Sequence, residues 1–500
     1  MTKANQTRLK RHDYYTLFLN KLIIELALFK IYYFIIPENT DKKQSFNHNC
    51  LMMLAVIPSS FMIHKRFFFC SKVFSMVHSR KISPFTATLI CINSMIGAGL
   101  FINPKQMTML AGAYGFLGYV IAASIFFPLI LCVAELAALH PVAGGLYMYS
   151  HTHIGSWAGF LSGWGYFVGK TTSAALLIHK FVEFFQPRIT ALATVPTLMI
   201  DFGMLFFLIS LNMVGVSIGG RIQYFFSALK ATPILFAFGV GAFYFDPTNF
   251  RDVVDMQGIL YAIPTAIFAL VGFEVICAVA NMVEDAARTI KRVILTAFIF
   301  VTSINILFQL TTFGILGHGL EETNEPLLVI GLRVFESYPW IASLVNGFVF
   351  ASIIGGCFSL LTSNCWNLHT IARFGHFPGA SLLMRINTYN VPWISIILEA
   401  LLGCTILYMT IETAPLQSMA VFAQIVCYFM CALAALYAVK SGALKRFAWW
   451  IPLLAMFGCV IIMGIALHKI IMVGVSFSFL FLLLAGVAVA VGKRLFAKGS

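Results

Sequence analysis

The residues of this chain best placed to do chemistry lie inside long apolar stretches. Glu274 sits about 18 residues into the apolar run 257–280, just after Gly272 in Phe268-Ala269-Leu270-Val271-Gly272-Phe273-Glu274. An acid at that depth is a functional candidate, and a carboxyl held there could load a proton near neutral pH. Two structural roles are open beside it: capping backbone N–H groups freed at a break, or holding a half-helix by a hydrogen bond. Lys230 lies about eight residues into the run 222–245, or ~12 Å from its end at ~1.5 Å per residue. That is near the limit of snorkelling to water. A buried ammonium could pick up and release a proton; a snorkelling lysine with a packed stem is the other reading.

The third element is Asn93-Ser94-Met95-Ile96-Gly97-Ala98-Gly99-Leu100-Phe101, in the middle of the apolar run 85–110. Each glycine costs a helix interior roughly 1 kcal/mol against alanine, so two of them invite unwinding. Unwound backbone survives in a bilayer only where it is buried in protein or lines a cavity. N–H groups freed there would face an anion such as a carboxylate. Close helix packing through Gly-x-Gly is the alternative. Lys170, His179, Asp201, Gln309 and Glu399 also fall in apolar runs. Lys170 is mid-helix with no partner assignable, Asp201 reads as interfacial, and His179 and Glu399 read as structural or lumen-facing. The eleven cysteines show no Cys-x-x-Cys spacing. Cys427 and Cys431 read as packing residues, and His151 and His153 as solvated loop residues without a third ligand. No metal, no cofactor and no enzymatic cluster are expected.

The elements that must position these residues are membrane helices. The sequence is 60% hydrophobic and 10% charged, with mean hydropathy +0.89, which excludes a soluble globular domain. Twelve apolar segments follow one another: 85–110, 116–138, 157–184, 195–213, 222–245, 257–280, 293–317, 340–370, 391–411, 415–439, 449–468 and 471–491. The net charge of +14 does not point to nucleic acid. The basic residues occupy alternate short loops, at Arg80/Lys81, Arg221, Arg288/Lys291/Arg292, Arg373/Arg385, Lys440/Lys445/Arg446 and Lys493/Arg494/Lys498. The intervening loops hold Asp246, Asp252, Asp255, Glu321, Glu322, Glu325 and Glu412. The positive-inside rule then puts both termini in the cytoplasm. The cytoplasmic loop 139–156 lacks Lys and Arg and carries His140, His151 and His153. Segments one and six are both interrupted and stand five spans apart. Repeats of five spans must have opposite orientations, so the pattern predicts an inverted-repeat transporter with its site between two broken helices.

Residues 1–80 hold 12 Lys or Arg against 4 Asp or Glu, so +8 of the net charge lies here. Lys21, Glu25 and Lys30 interrupt the run 17–36, and the run 50–63 is too short to span. This stretch is expected to be a basic cytoplasmic or interfacial extension, or else to precede the true start at Met76; the second reading is preferred. No cleavable signal peptide of ordinary form is expected.

With these residues in hand, the chain resembles the amino acid–polyamine–organocation (APC) superfamily of transporters. Ser94-Met95-Ile96-Gly97-Ala98-Gly99-Leu100-Phe101 is similar to its first-helix motif. Glu135-Leu136 with Pro141-Val142-Ala143-Gly144-Gly145-Leu146-Tyr147-Met148-Tyr149 resembles its cytoplasmic loop motif, continued by Gly159-Phe160-Leu161-Ser162-Gly163-Trp164. Phe268 to Glu274 followed by Arg288-Thr289-Ile290 resembles its sixth helix and the loop after it. The departures are Asn93 for the first glycine, Glu284-Asp285-Ala286 for Lys-Asn-Pro, Lys291 for a proline, and Leu360 where arginine exchangers carry an aromatic.

The resemblance implies an all-α membrane protein of 12 transmembrane helices in the five-plus-five inverted-repeat (LeuT-like) fold, over residues 81–500. It implies substrate contacts at Ser94, Ile96, Gly97, Ala98 and Gly99 for the carboxylate, and around Phe268, Ala269 and Gly272 for the amine, with Phe268 as an aromatic gate. It gives Lys230 the place that a sodium ion takes in other members, and gives Glu274 a role in proton sensing or coupling. The expected activity is amino acid transport by alternating access across a bacterial plasma membrane, as proton symport or exchange. A polyamine or organocation transporter and a substrate-sensing receptor on the same fold are the alternatives. The expected partners are the amino acid, protons and the bilayer; the oligomeric state is open, with a homodimer among the options.

Overall fold

In the computed structural model, the first helix of the described residues is capped by Ser83, whose hydroxyl accepts the N–H of Thr86 at 3.2 Å. Pro84 follows at the first helical position, where its missing N–H costs nothing. The structure describes residues 81–142, 144–213, 229–376, 379–389 and 391–472, with 474, 479–480, 483–484 and 486 beyond them. The expectations for residues 1–80, the first part of segment five and most of segment twelve lie outside the described residues.

The first apolar segment forms two helices, α1 (Pro84–Met95) and α2 (Gly99–Ala111). A tight turn at Gly112, with φ +53°, leads to α3 (Gly115–Leu139). There the Asp252 carboxylate accepts the Ala113 N–H at 3.0 Å. Then come α4 (Gly145–His153), α5 (Ser156–Phe185), α6 (Thr197–Met213) and α7 (Ala231–Tyr244). The sixth segment is again two helices, α8 (Met256–Leu270), started by the Asp255 side chain on the Gln257 N–H, and α9 (Val275–Ala278). Next is α10 (Ala286–Leu316), followed by two short helices, α11 (Gly319–Glu322) and α12 (Pro326–Val334). After them run α13 (Pro339–Arg373), α14 (Ala380–Leu383), α15 (Trp393–Met409), α16 (Thr413–Lys440) and α17 (Trp450–Met472). Among the described residues the β contact is a single parallel bridge, Ile82 to Val283.

Among the described residues, six stretches are long and apolar enough to cross a bilayer: Gly99–Leu139, Met256–Ala278, Ala286–Leu316, Pro339–Arg373, Thr413–Lys440 and Trp450–Met472. Four shorter apolar helices, α1, α6, α7 and α15, accompany them. The outer surface carries side chains that water would not cover favourably, such as Phe85 at 73% and Phe243 at 87% exposed. The chain is a multi-pass membrane protein.

The helices pack in two groups. Of the broken helices, α2 and α8 contact α3 and α10, α1 contacts α10, and α9 packs on α1 and α4, while α5 and α15 pack with α6 and α13. Helix α16 touches both groups, through α5 on one side and α3 and α8 on the other. Prolines lie inside α2 and α8, Pro104 and Pro264, and polar side chains tie the two helices to their neighbours. Asn103 donates to the Thr265 carbonyl at 2.7 Å and accepts from Gln417 of α16 at 2.8 Å. Gln309 of α10 donates to the Thr108 hydroxyl at 3.1 Å.

Candidate functional site

The first break follows from a change of hydrogen-bond partner. In a continuous helix the Gly97 N–H would bond to the Asn93 carbonyl, four residues back. Instead it bonds to Met95 O at 2.8 Å. Ile96 makes the last regular bond, to Ile92 O at 2.8 Å, and its ψ of 82° leaves the helical region. The chain re-enters a helix at Gly99, where Ala98 O accepts from Phe101 and Ile102. The carbonyls of Asn93 and Ile96 are thereby released at the end of α1. The N–H groups of Ala98, Gly99 and Leu100 stand at the start of α2, the end of a helix that favours an anion.

The second break lies at Val271 and Gly272. Helix α8 ends at Leu270, and Gly272 has φ +118°, a conformation that side chains other than hydrogen rarely permit. The two breaks touch. A Cβ on Gly272 would lie 2.7 Å from Ser94 O and 3.0 Å from the Met95 Cα. A Cβ on Gly99 would lie 3.2 Å from the Ala269 Cα and 3.3 Å from the Phe268 ring. Beside Gly97 there is room, since a Cβ there would meet only Met95 O at 3.9 Å. The packing thus brings Ser94, Gly99, Phe268, Ala269 and Gly272 into contact, with Ile96, Gly97 and Ala98 in the same turn.

Lys230 reaches the first break from the start of α7. Its Nζ donates to Ile96 O at 3.0 Å and to Asn93 O at 3.3 Å, and the residue is buried. The ammonium therefore sits on the carbonyls that the break releases. The side chain points inward and does not snorkel to solvent.

Glu274 is held at the second break from three directions. Oε2 accepts the Gly272 N–H at 2.9 Å. Oε1 accepts the Tyr166 hydroxyl at 3.3 Å and pairs with the Lys170 Nζ at 2.7 Å. The side chains of Lys170 and Glu274 are 5% and 1% exposed. Lys170, which has no partner in the sequence pattern, is thus the counter-ion of Glu274. The capping role of Glu274 is real as well, because its carboxylate satisfies a backbone N–H in the break.

Asp201, the fifth residue of α6, is buried in the protein and pairs with His179 at 2.9 Å. Glu399, read from the sequence as structural or lumen-facing, is buried and accepts from Asn364 at 2.9 Å; Asn364 also donates to Phe167 O and the Thr171 hydroxyl. One sequence expectation needs correction. His151 and His153 lie in helix α4 rather than in a solvated loop. His153 and His140 share a hydrogen bond at 2.8 Å between their Nε2 atoms. Burial lowers the pKa of both, and His140 lowers that of His153 further. Asn103, which links α2, α8 and α16, is a residue that the sequence reading passed over. A polar side chain four residues past Gly99 in an apolar run was the available signal.

The two ends of the bundle differ. At the end bearing the basic loops, Ile82 and Val283 pair through their backbones, with Ile82 N–H to Met282 O at 2.8 Å and Glu284 N–H to Ile82 O at 2.9 Å. Lys291 forms an ion pair with Glu135, and the Tyr147 hydroxyl meets His376 at 2.8 Å. At the opposite end a cavity of about 470 Å³ reaches α2 at Ile102 and Lys105 and α5 at His179, Lys180 and Glu183. Nearby, His318 bonds Glu321 at 2.7 Å and Asp252 at 3.1 Å, and these two bonds raise its pKa.

Two broken helices thus meet inside an apolar bundle, with buried charges on their breaks. Residues 82–492 match the amino acid permease family, and the chain belongs to it. An uncharacterized transporter of Mycobacterium tuberculosis is 27% identical over 313 residues, which cover 60% of this chain and 67% of its own. The aromatic amino acid transport protein AroP of Escherichia coli is 24% identical over 416 residues, 76% of this chain and 87% of its own. AroP of Salmonella typhi is 24% identical over 353 residues, 65% of this chain and 74% of its own.

Proposed function

We propose that the chain is a secondary active transporter that moves amino acids across the plasma membrane by alternating access. The observation that carries this reading is the contact between the two breaks, with the Lys230 ammonium on the carbonyls of one and the Glu274 carboxylate on the other. The substrate carboxylate takes the N–H groups of Ala98, Gly99 and Leu100, close to the room beside Gly97. The substrate amine takes the carbonyls at the end of α8, around Phe268 and Ala269, and Phe268 closes over it. The cavity at Ile102 and Lys105 is the external approach to the site. The paired backbone at Ile82 and Val283 closes the cytoplasmic side.

On this reading the twelve apolar segments form a five-plus-five inverted repeat with both termini in the cytoplasm. The transporting body begins near Lys81, and a chain beginning at Met76 inserts and transports. Lys230 and Glu274 couple transport to protons or to a second amino acid. The names of the AroP relatives favour neutral, aromatic substrates.

Uptake of a radiolabelled amino acid panel into proteoliposomes tests the proposal. Each compound is offered with an inward proton gradient, and again with the same compound preloaded inside. Accumulation in empty vesicles under the gradient means symport; uptake only into preloaded vesicles means exchange. Binding without flux for every compound would overturn the transporter reading in favour of a sensor.

A further inference from the structure

We propose that Lys170 determines substrate specificity: its ammonium balances the Glu274 carboxylate beside the second break, so the site takes amino acids with uncharged side chains and turns away those with cationic ones. This rests on the reading of the facing breaks as the substrate site. Glu274 accepts the Gly272 N–H at 2.9 Å, and Gly272 packs directly against Ser94 and Met95. The carboxylate therefore lies next to the backbone that would hold the substrate. An unbalanced carboxylate in so buried a place would draw a cation strongly, because charge attraction grows as the local dielectric falls.

Lys170 removes that attraction with an Nζ 2.7 Å from Oε1, in a pair almost closed to solvent. Tyr166, one helical turn earlier on α5, completes the arrangement. Its ring centroid lies 5.2 Å from the Lys170 Nζ, and its hydroxyl donates to the same Oε1 at 3.3 Å. The second buried ammonium, Lys230, stands on the other break. Two ammonium groups and one carboxylate thus flank the paired breaks. Their sum of one positive charge suits a substrate α-carboxylate and opposes any positive charge beyond the α-amine.

The test compares uptake of leucine, phenylalanine, lysine, arginine and glutamate by the full chain in proteoliposomes. The wild type is expected to carry the neutral compounds and to reject lysine and arginine. Lys170→Gln frees the carboxylate, and the ratio of lysine to leucine uptake should rise at least about tenfold, within the range that a changed pocket contact gives. The two variants of Glu274 are read by competition for equilibrium binding, because the loss of a coupling group removes driven uptake and leaves binding measurable. Glu274→Gln leaves the ammonium unbalanced and should shift the binding ratio the other way, toward glutamate. The double variant Lys170→Gln/Glu274→Gln should restore the preference for neutral compounds in binding. Size-exclusion profiles check folding; if Lys170→Gln does not fold, Glu274→Gln and the double variant carry the test. A purely structural pair would lower all compounds in parallel, in the uptake of Lys170→Gln and in the binding of Glu274→Gln, and that result overturns the proposal. Wild-type uptake of lysine equal to that of leucine also overturns it. A wild type that moves no amino acid refutes the substrate-site reading, and the role of Lys170 falls with it. Neutral uptake with unmoved ratios in the variants refutes the role of Lys170 alone.

Discussion

Lys230→Met isolates the contribution of the ammonium at the first break. The replacement keeps the length of the stem and removes both hydrogen bonds, to Ile96 O at 3.0 Å and to Asn93 O at 3.3 Å. A hydrogen bond to a charged group contributes about 1.5–3 kcal/mol, and the longer bond belongs at the weak end of that range. Their sum is about 4 kcal/mol. Relief from burying an ammonium offsets part of it, so the net loss should be about 2–3 kcal/mol. The loss falls on the connection between α1 and α2, where the proposal puts the substrate carboxylate. The variant should melt about 2–3 °C below the wild type in detergent, at roughly 1 °C per kcal/mol for a body of about 420 residues, because the unfolding entropy grows with chain length. Proton-driven uptake should disappear, while equilibrium binding of substrate weakens by no more than about tenfold. Restoration of part of the uptake by sodium would agree with a cation site on the freed carbonyls. The reasoning is refuted by a variant with the wild-type melting temperature and wild-type uptake at every pH.

Gly272→Ala places a Cβ 2.7 Å from Ser94 O at φ +118° and should cost more than about 2 kcal/mol, read as lost expression or a lowered melting temperature with no uptake. His318 has a pKa raised by its bonds to Glu321 and Asp252. Its stabilisation is fully present below the ordinary value of 6.5 and is lost as pH rises through the raised one, so the melting temperature of the wild type should exceed that of His318→Gln at pH 5–6 and converge with it at alkaline pH. Its side chain is 60% exposed, so high salt should shrink the difference. His140 and His153 carry lowered pKa values, so the folded state binds fewer protons than the unfolded one. Stability should therefore fall as pH drops below 6.5, and His153→Asn should flatten that slope; an unchanged slope would exclude the pair as its source.

The breaks were legible because glycine spacing inside an apolar run is a local property of the chain. The inward direction of Lys230 was half legible: its depth pointed inward, but the carbonyls it meets come from a helix 134 residues away. The Lys170–Glu274 pair was not legible at all. The partners are separated by 104 positions on helices whose rotation about their axes the apolar pattern leaves undetermined. His179 and Asp201 are a different case. They lie on α5 and α6, joined by a short connection at 186–196, and each sits a few residues from that turn. Two helices folded back on each other bring such positions side by side, so the pairing follows from the hairpin alone. The short helix α4 was missed because Gly144 and Gly145 suggested a loop, whereas their φ values of +104° and +46° form the turn that starts the helix.

The backbone pairing of Ile82 with the stretch 282–284 has a consequence for how the family can vary here. Its two hydrogen bonds run between main-chain atoms, Ile82 N–H to Met282 O and Glu284 N–H to Ile82 O. No side chain takes part, so substitution can drift freely at Ile82, Met282 and Glu284 without removing the connection. Only proline at 82 or 284 deletes a donor. The strap that yokes the beginning of α1 to the segment after α9 is thus shielded from most single-nucleotide change. The charged neighbours that set its surroundings, Lys81, Glu284 and Asp285, remain open to selection. Charge at this end of the bundle can therefore change while the main-chain connection stays the same.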